Sequence, residues 1–272
     1  MSISFKNAPL VELIAELRWN DSAMPQAIPQ PQAGQGIRIQ FGGGNQEAFF
    51  ERFGRGLSHL GFQSVERLVP PGFPIVNSQP VLRFKKNGSE PAPVLYQIGS
   101  GLFTANAVPP YGRWAEFRPD VEAGVSVLLA TRDEGSKNTP FAAISLRYID
   151  AFGASLTGGR DIGRFLSEVL GINLVLPSAI TNHLAPGSLA KPLLQVTVPM
   201  ADSLNLGLTI AEGAVNGTPA IMMDTNVSTI GMIAPDMASV MAVLERAHDV
   251  IHDIFMSITK TIENEMAPSE KG

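Results

Sequence analysis

Two Asn-Gly dipeptides, Asn87-Gly88 and Asn216-Gly217, each stand between apolar runs of strand length. Asn-Gly supplies the positive-φ residues of short hairpin loops, and strands joined by short loops run antiparallel, because a parallel crossover needs about a dozen residues or more. Around the first pair lie Val81 to Lys86 and Pro93 to Ile98, followed by a third run from Leu102 to Ala105. Around the second lie Leu204 to Ile210 and Pro219 to Asn226, preceded by Leu193 to Val198. The spacing therefore predicts two antiparallel meanders and excludes a doubly wound parallel sheet.

Other segments fill in the frame. Leu10 to Trp19 sets Val11, Leu13, Ala15, Leu17 and Trp19 against Leu10, Glu12, Ile14, Glu16 and Arg18, the period of a strand with unlike faces. Pro25 to Gly36 reads as a surface loop and Ile37 to Phe41 as a strand. Gln46 to Leu60 carries its phenylalanines and leucines at helical spacing. A second helix follows from Trp114 to Leu129, with Pro119 placing the start of its regular part near Arg118. Phe141 to Ile149 is strand-like, and Asp161 to Leu170 is a short helix closed by Gly171. From Pro235 to Met266 apolar residues recur every three or four positions, which predicts one helix of about 30 residues and about 45 Å. The fold class expected is α+β: two antiparallel meander halves covered by helices, residues 1–150 and 151–272, with a long C-terminal helix. The halves could equally be one integrated domain, and the strand-then-helix plan of both suggests a duplication.

Charge is spread unevenly. Residues 1–150 hold 14 Lys/Arg and 13 Asp/Glu, net +1, whereas residues 151–272 hold 6 and 12, net -6. Lys191 is the only Lys or Arg between Phe165 and Glu245. Nucleic acid needs a basic face to replace phosphate counterions, so this half is a poor partner for it. An apolar, charge-poor stretch fits a core or a subunit interface better, and a homodimer through the second half is expected. Met222, Met223, Met232, Met237 and Met241 suit the same roles or an adaptable partner groove. With no cysteine, thiol chemistry, disulfides and zinc-thiolate sites are excluded. No secretory leader and no membrane-length apolar run is legible, so a cytoplasmic protein is expected.

Candidate chemistry is sparse. Glu12, Glu16 and Arg18 share one face of the first strand, and with Arg147 and Asp150 they could line a pocket for a polar ligand. They could equally form an ion-pair network on a half-buried sheet. His248 and His252, one turn apart with carboxylates between, make half a metal site or the polar flank of a packed helix. Gly42-Gly43-Gly44-Asn45 precedes a helix but lacks the Lys-Ser/Thr of a phosphate loop. Arg52 with Arg55, and Arg83 with Lys85 and Lys86, read as solvated faces. No complete catalytic constellation is present, and the sequence points to no cofactor and no metal.

Phe5 to Trp19, with its Asn-x-Pro-Leu-Val-Glu opening and later Glu-Leu-Arg, resembles the start of a sporadically distributed bacterial family of uncharacterised proteins of similar length. Leu146-Arg147-Tyr148-Ile149-Asp150 is similar to that family's mid-chain Leu-Arg-Tyr-Ile-Asn strand, with Asp150 where Asn is usual. A third similarity is the terminal helix around His248, Phe255 and Thr259. The resemblance implies no catalytic residue. Its patchy distribution implies mobile or defence-linked genes; the missing catalytic constellation and the charge-poor second half lead to the expectation of a non-catalytic binding or regulatory protein, a partner of a toxin or defence effector. The alternative is a small-molecule sensor or enzyme using the polar residues of strand 1.

Overall fold

The computed structural model describes residues 5–20, 44–88, 93–108 and 113–268. The expected loop at Pro25 to Gly36 and strand at Ile37 to Phe41 lie outside the described residues, as do Gly42 and Gly43. The first strand, β1, runs Leu10–Trp19, with Leu13, Ala15, Leu17 and Trp19 buried as the alternation requires. Then come α1 (Gly44–Ser58), β2 (Ser64–Arg67), β3 (Pro80–Lys85), β4 (Val94–Gly99), β5 (Leu102–Ala107) and α2 (Trp114–Thr131). The second series is β6 (Phe141–Phe152), two short helical turns α3 (Ala154–Thr157) and α4 (Ile162–Arg164), a π-turn at Phe165–Val169, α5 (Ser178–Thr181), β7 (Leu194–Pro199), β8 (Leu204–Val215), β9 (Thr218–Thr229) and α6 (Met237–Ile258).

The nine strands among the described residues form one antiparallel sheet in the order β2-β3-β4-β5-β1-β6-β9-β8-β7. The same element order occurs twice. A strand (β1 or β6) is followed by helix, then by a meander that starts at a sheet edge and runs inward to lie beside the opening strand, then by a long helix. The protein is thus α+β with two meanders, as the hairpin chemistry predicts. The two Asn-Gly pairs differ, however. Asn216 and Gly217 have φ of 50° and 79° and form a two-residue turn between β8 and β9, whereas eight residues separate β3 from β4.

The chain divides into two compact units, each assembled from separate stretches. One comprises residues 1–13, 147–227 and 246–272, and the other residues 14–146 and 228–245. In the second of these, Phe53 of α1 meets Phe84 and Phe103 edge-on with ring centroids 5.7 and 5.9 Å apart. Helix α2 approaches the sheet at Gly124, where a Cβ would lie 2.6 Å from the Tyr96 ring and 2.8 Å from Phe103, so only glycine permits this distance. Arg132, buried at the end of α2, donates to the Thr139 carbonyl (2.7 Å) and lies over the rings of Trp19 and Phe141 at 5.6 and 5.1 Å. Burial without a carboxylate partner pushes its pKa down. In the first unit, Phe152, Leu156, Ile162, Phe165 and Leu166 pack with Ile210, Met223, Ile262 and Met266. Among the described residues no helix is long and apolar enough to cross a membrane.

Two expectations are corrected. Helix α2 begins at Trp114, not near Arg118, although Pro119 lies inside it. Buried Trp114 and Phe117 anchor the first turn, and the Trp114 indole N–H donates to Glu245 (2.9 Å), which outweighs the lost proline bond. The terminal helix stops at Ile258 after 22 residues, about 33 Å. Buried Thr259 donates its hydroxyl back to the Phe255 carbonyl (2.7 Å), and the chain continues as a 3-10 turn at Lys260–Ile262. Ile262 and Met266 stay in the core, which is why the apolar spacing continues past the helix end. Strand β2 is an addition to the elements read from sequence: four mostly exposed residues with one apolar member carry no periodic signal.

Candidate functional site

The sequence-predicted polar residues separate into pairs. Glu16 accepts from the Arg18 Nε at 2.5 Å across the exposed face of β1, and neither is sealed in the core. Arg147 is held by Asp224 of β9 through its Nε (2.7 Å) and its terminal nitrogen, a two-point ion pair. Glu12 is also partnered. In one unit lie Glu12, Arg147 and Asp150, and in the other Glu16 and Arg18. Asp150 is three residues from Arg147 on β6, and an odd separation on a strand places the two on opposite faces. Arg147 is exposed on one, while Asp150, 3% exposed, shares the buried face with Leu146 and Phe152. Burial first, and the Asp224 charge second, push the Asp150 carboxyl up to about 7. Asp224 lies 77 residues from its partner on another strand, and no local sequence signal marks it.

The histidines are packed rather than convergent. Tyr148 Oη and His248 Nδ1 share a hydrogen bond of 2.8 Å with the rings stacked, and His252 stacks on His248 at 5.8 Å. Among the described residues no three His, Asp or Glu side chains are placed to hold a metal ion. The methionines divide, with Met223 and Met241 in the core and Met232 exposed. A shallow cleft of about 230 Å³ lies between the β7–β8 turn, at Met200 to Leu204, and Arg246, Asp249 and Val250 of α6. Asp202 and Ser203 in that turn both have positive φ, 55° and 57°, where Asn-Gly would be the relaxed choice.

The largest departure from ordinary surface chemistry lies elsewhere. From Val169 to Ala190 the chain contains no Asp, Glu, Lys or Arg, and from Gly171 to Ala190 no residue is buried. Leu174, Val175, Leu176, Ile180, Leu184, Leu189 and Leu193 are all exposed, Val175 to 90%. The segment leads into β7, itself exposed at every position but Leu194. Exposed single leucines are ordinary, but seven large aliphatic side chains exposed between Leu174 and Leu193 are not. The sequence signal was there in the charge-poor run after Phe165; what it could not separate was internal core from outward surface, since both are apolar.

In comparisons with known proteins, no family profile and no curated protein matches this chain.

Proposed function

We propose that the protein is a non-catalytic binding protein that docks another protein chain on residues 171–199 and acts in the cytoplasm. The observation that carries this reading is the run of nine large aliphatic side chains left exposed between Leu174 and Val198 without one acidic residue among them. Water disfavours such a surface by roughly 25 cal/mol per Å² of apolar area, so covering it with a partner provides the drive for association. The resemblance of Phe5 to Trp19 to a patchily distributed family favours a regulatory role beside a toxin or defence effector.

Co-purification from the native host at mild salt tests the reading, using the wild type and the triple variant Val175→Ser, Leu189→Ser, Leu193→Ser. A stoichiometric protein partner, a second copy of the chain included, that is lost with the variant is the expected result. A partner retained by the variant, or none, contradicts it. A second reading, a small-molecule sensor centred on Asp150, is favoured by one observation: Asp150 is a carboxyl only 3% exposed, and burial pushes it up to about 7. A small ligand retained through purification and released by Asp150→Asn would support it.

A further inference from the structure

We propose that β7 is a self-pairing strand: two copies of the chain join β7 to β7, antiparallel about a twofold axis, and the exposed aliphatic segment beside it is buried in the same contact. The inference rests on the docking reading above and names the occupant of the surface.

Among the described residues β7 ends the sheet, and no other strand lies beside its outward backbone N–H and C=O groups. Sheet edges are ordinarily protected by charge, by shortness or by proline within the strand. From Pro192 to Ala201 no charged residue occurs, and the prolines stand only before the strand and at its last position.

The side chains point to the same partner. Leu194, Val196 and Val198 lie opposite Ile210, Leu208 and Leu206 of β8, so all six share one sheet face. On β8 this face is covered, with Ile210 wholly buried; on β7, Val196 and Val198 remain 37% and 41% exposed. The apolar layer reaches Leu194, which packs on the core, and leaves the rest of β7 uncovered. Antiparallel pairing about a twofold axis keeps that face on the same side in both copies. With Val196 on the axis, Leu194 of one copy stands beside Val198 of the other, and Gln195 beside Thr197.

Size and charge favour a second copy as the occupant. The nine exposed aliphatics of residues 174–198 amount to on the order of 800 Å², which is what each partner gives to a standard interface. Each chain carries a net charge of -5, so two copies approach best through a neutral surface, and this segment provides one. Twofold pairing also closes, leaving no further β7 edge to recruit a third chain.

Light scattering coupled to size exclusion tests the proposal with the wild type, Val196→Lys, and Val65→Lys on β2 as the control at the opposite edge. The wild type is expected at twice 29.0 kDa, Val196→Lys at one chain with an unchanged circular dichroism spectrum, and Val65→Lys at the wild-type mass. Because the chain has no cysteine, single-cysteine variants at Gln195, Val196 and Thr197 provide a second readout. Facing strands hold Cα atoms about 4.5–5.5 Å apart, within disulfide reach, so mild oxidation should cross-link the residue nearest the axis. A wild type of one-chain mass at every concentration overturns self-pairing, as does a double mass that survives Val196→Lys with no cross-link. If a one-chain protein still captures a different partner through residues 171–199, self-pairing fails and the docking reading stands. If neither copy nor partner binds there, both fail.

Discussion

At one edge of the sheet, β2 is four residues long and carries Glu66 and Arg67; at the other, β7 is six residues long and carries no charge. Glu66 reaches across to Arg83 and Lys85 of the adjoining β3, at 3.2 and 3.5 Å, and Arg67 is fixed by two bonds to Glu47 of α1, at 2.6 and 3.1 Å. Another strand pairing with β2 would have to desolvate these ion pairs, whereas one pairing with β7 would desolvate valine and threonine. The contrast extends inward. Every residue of β5, where the first meander ends, is buried, while the second meander begins on an uncovered strand. Both meanders follow one topological plan, and what distinguishes them is how each finishes its outer edge.

The comparison breaks first in the covered meander. Phe103→Ala on β5 removes a fully buried ring packed on Phe53 and Tyr96, so urea unfolding should show a loss of about 3–5 kcal/mol. This loss should not depend on protein concentration. A cost under about 1 kcal/mol would mean that the core around β5 is looser than its burial implies.

Next comes Asp150. Its carboxyl is raised in the folded chain, so the folded state holds a proton that the unfolded state releases. The associated stability is present below about pH 4 and is lost as pH rises to about 7. Thermal melts of the wild type should therefore fall between pH 5 and 8, and Asp150→Asn should flatten that fall. At about 1.4 kcal/mol for each tenfold change, its gain at pH 8 is at most about 4 kcal/mol. Parallel pH profiles for the two proteins would contradict the assignment.

The smallest effect belongs to the charged edge. The hydrogen bond from Arg67 lowers the Glu47 carboxyl, so this pair stabilises the fold above about pH 4.3 and is lost on acidification, opposite in sign to Asp150. Both side chains are partly solvated, and Arg67→Ala should cost no more than about 1 kcal/mol at neutral pH. The difference from wild type should shrink on acidification in urea unfolding, leaving the share owed to the bond that the Arg67 Nε donates to the Val69 carbonyl (2.8 Å). A variant that associates through β2 would show that the edge charges guard against pairing more than they stabilise the fold.

Much of the frame was legible because it rests on local periodicity. Alternation delimited β1 at Leu10 and Trp19, and the turn chemistry of Asn216-Gly217 set β8 against β9. What escaped reading depends on contacts distant in sequence. The first turn of α2 is held by Glu245, and the end of α6 is set by Thr259 while Ile262 and Met266 continue the apolar rhythm. At the candidate site, the shared face of Glu16 and Arg18 was readable, and so in principle was the split of Arg147 from Asp150, since odd separation on a strand reverses the face. The bond from Arg147 to Asp224 was not. Nor could hydropathy alone tell that residues 171–193 face outward, because transfer preference records what a side chain favours and not whether this chain supplies the cover.

Amide hydrogen exchange, followed at micromolar and at hundredfold lower protein concentration, tests the unequal edges most directly. The account predicts that the outward-pointing amides among Gln195 to Val198 gain protection as concentration rises, while the outward-pointing amides of Ser64 to Arg67 on β2 exchange at the same rate throughout. Fast exchange along β7 at every concentration, or protection that grows at β2 instead, would contradict it.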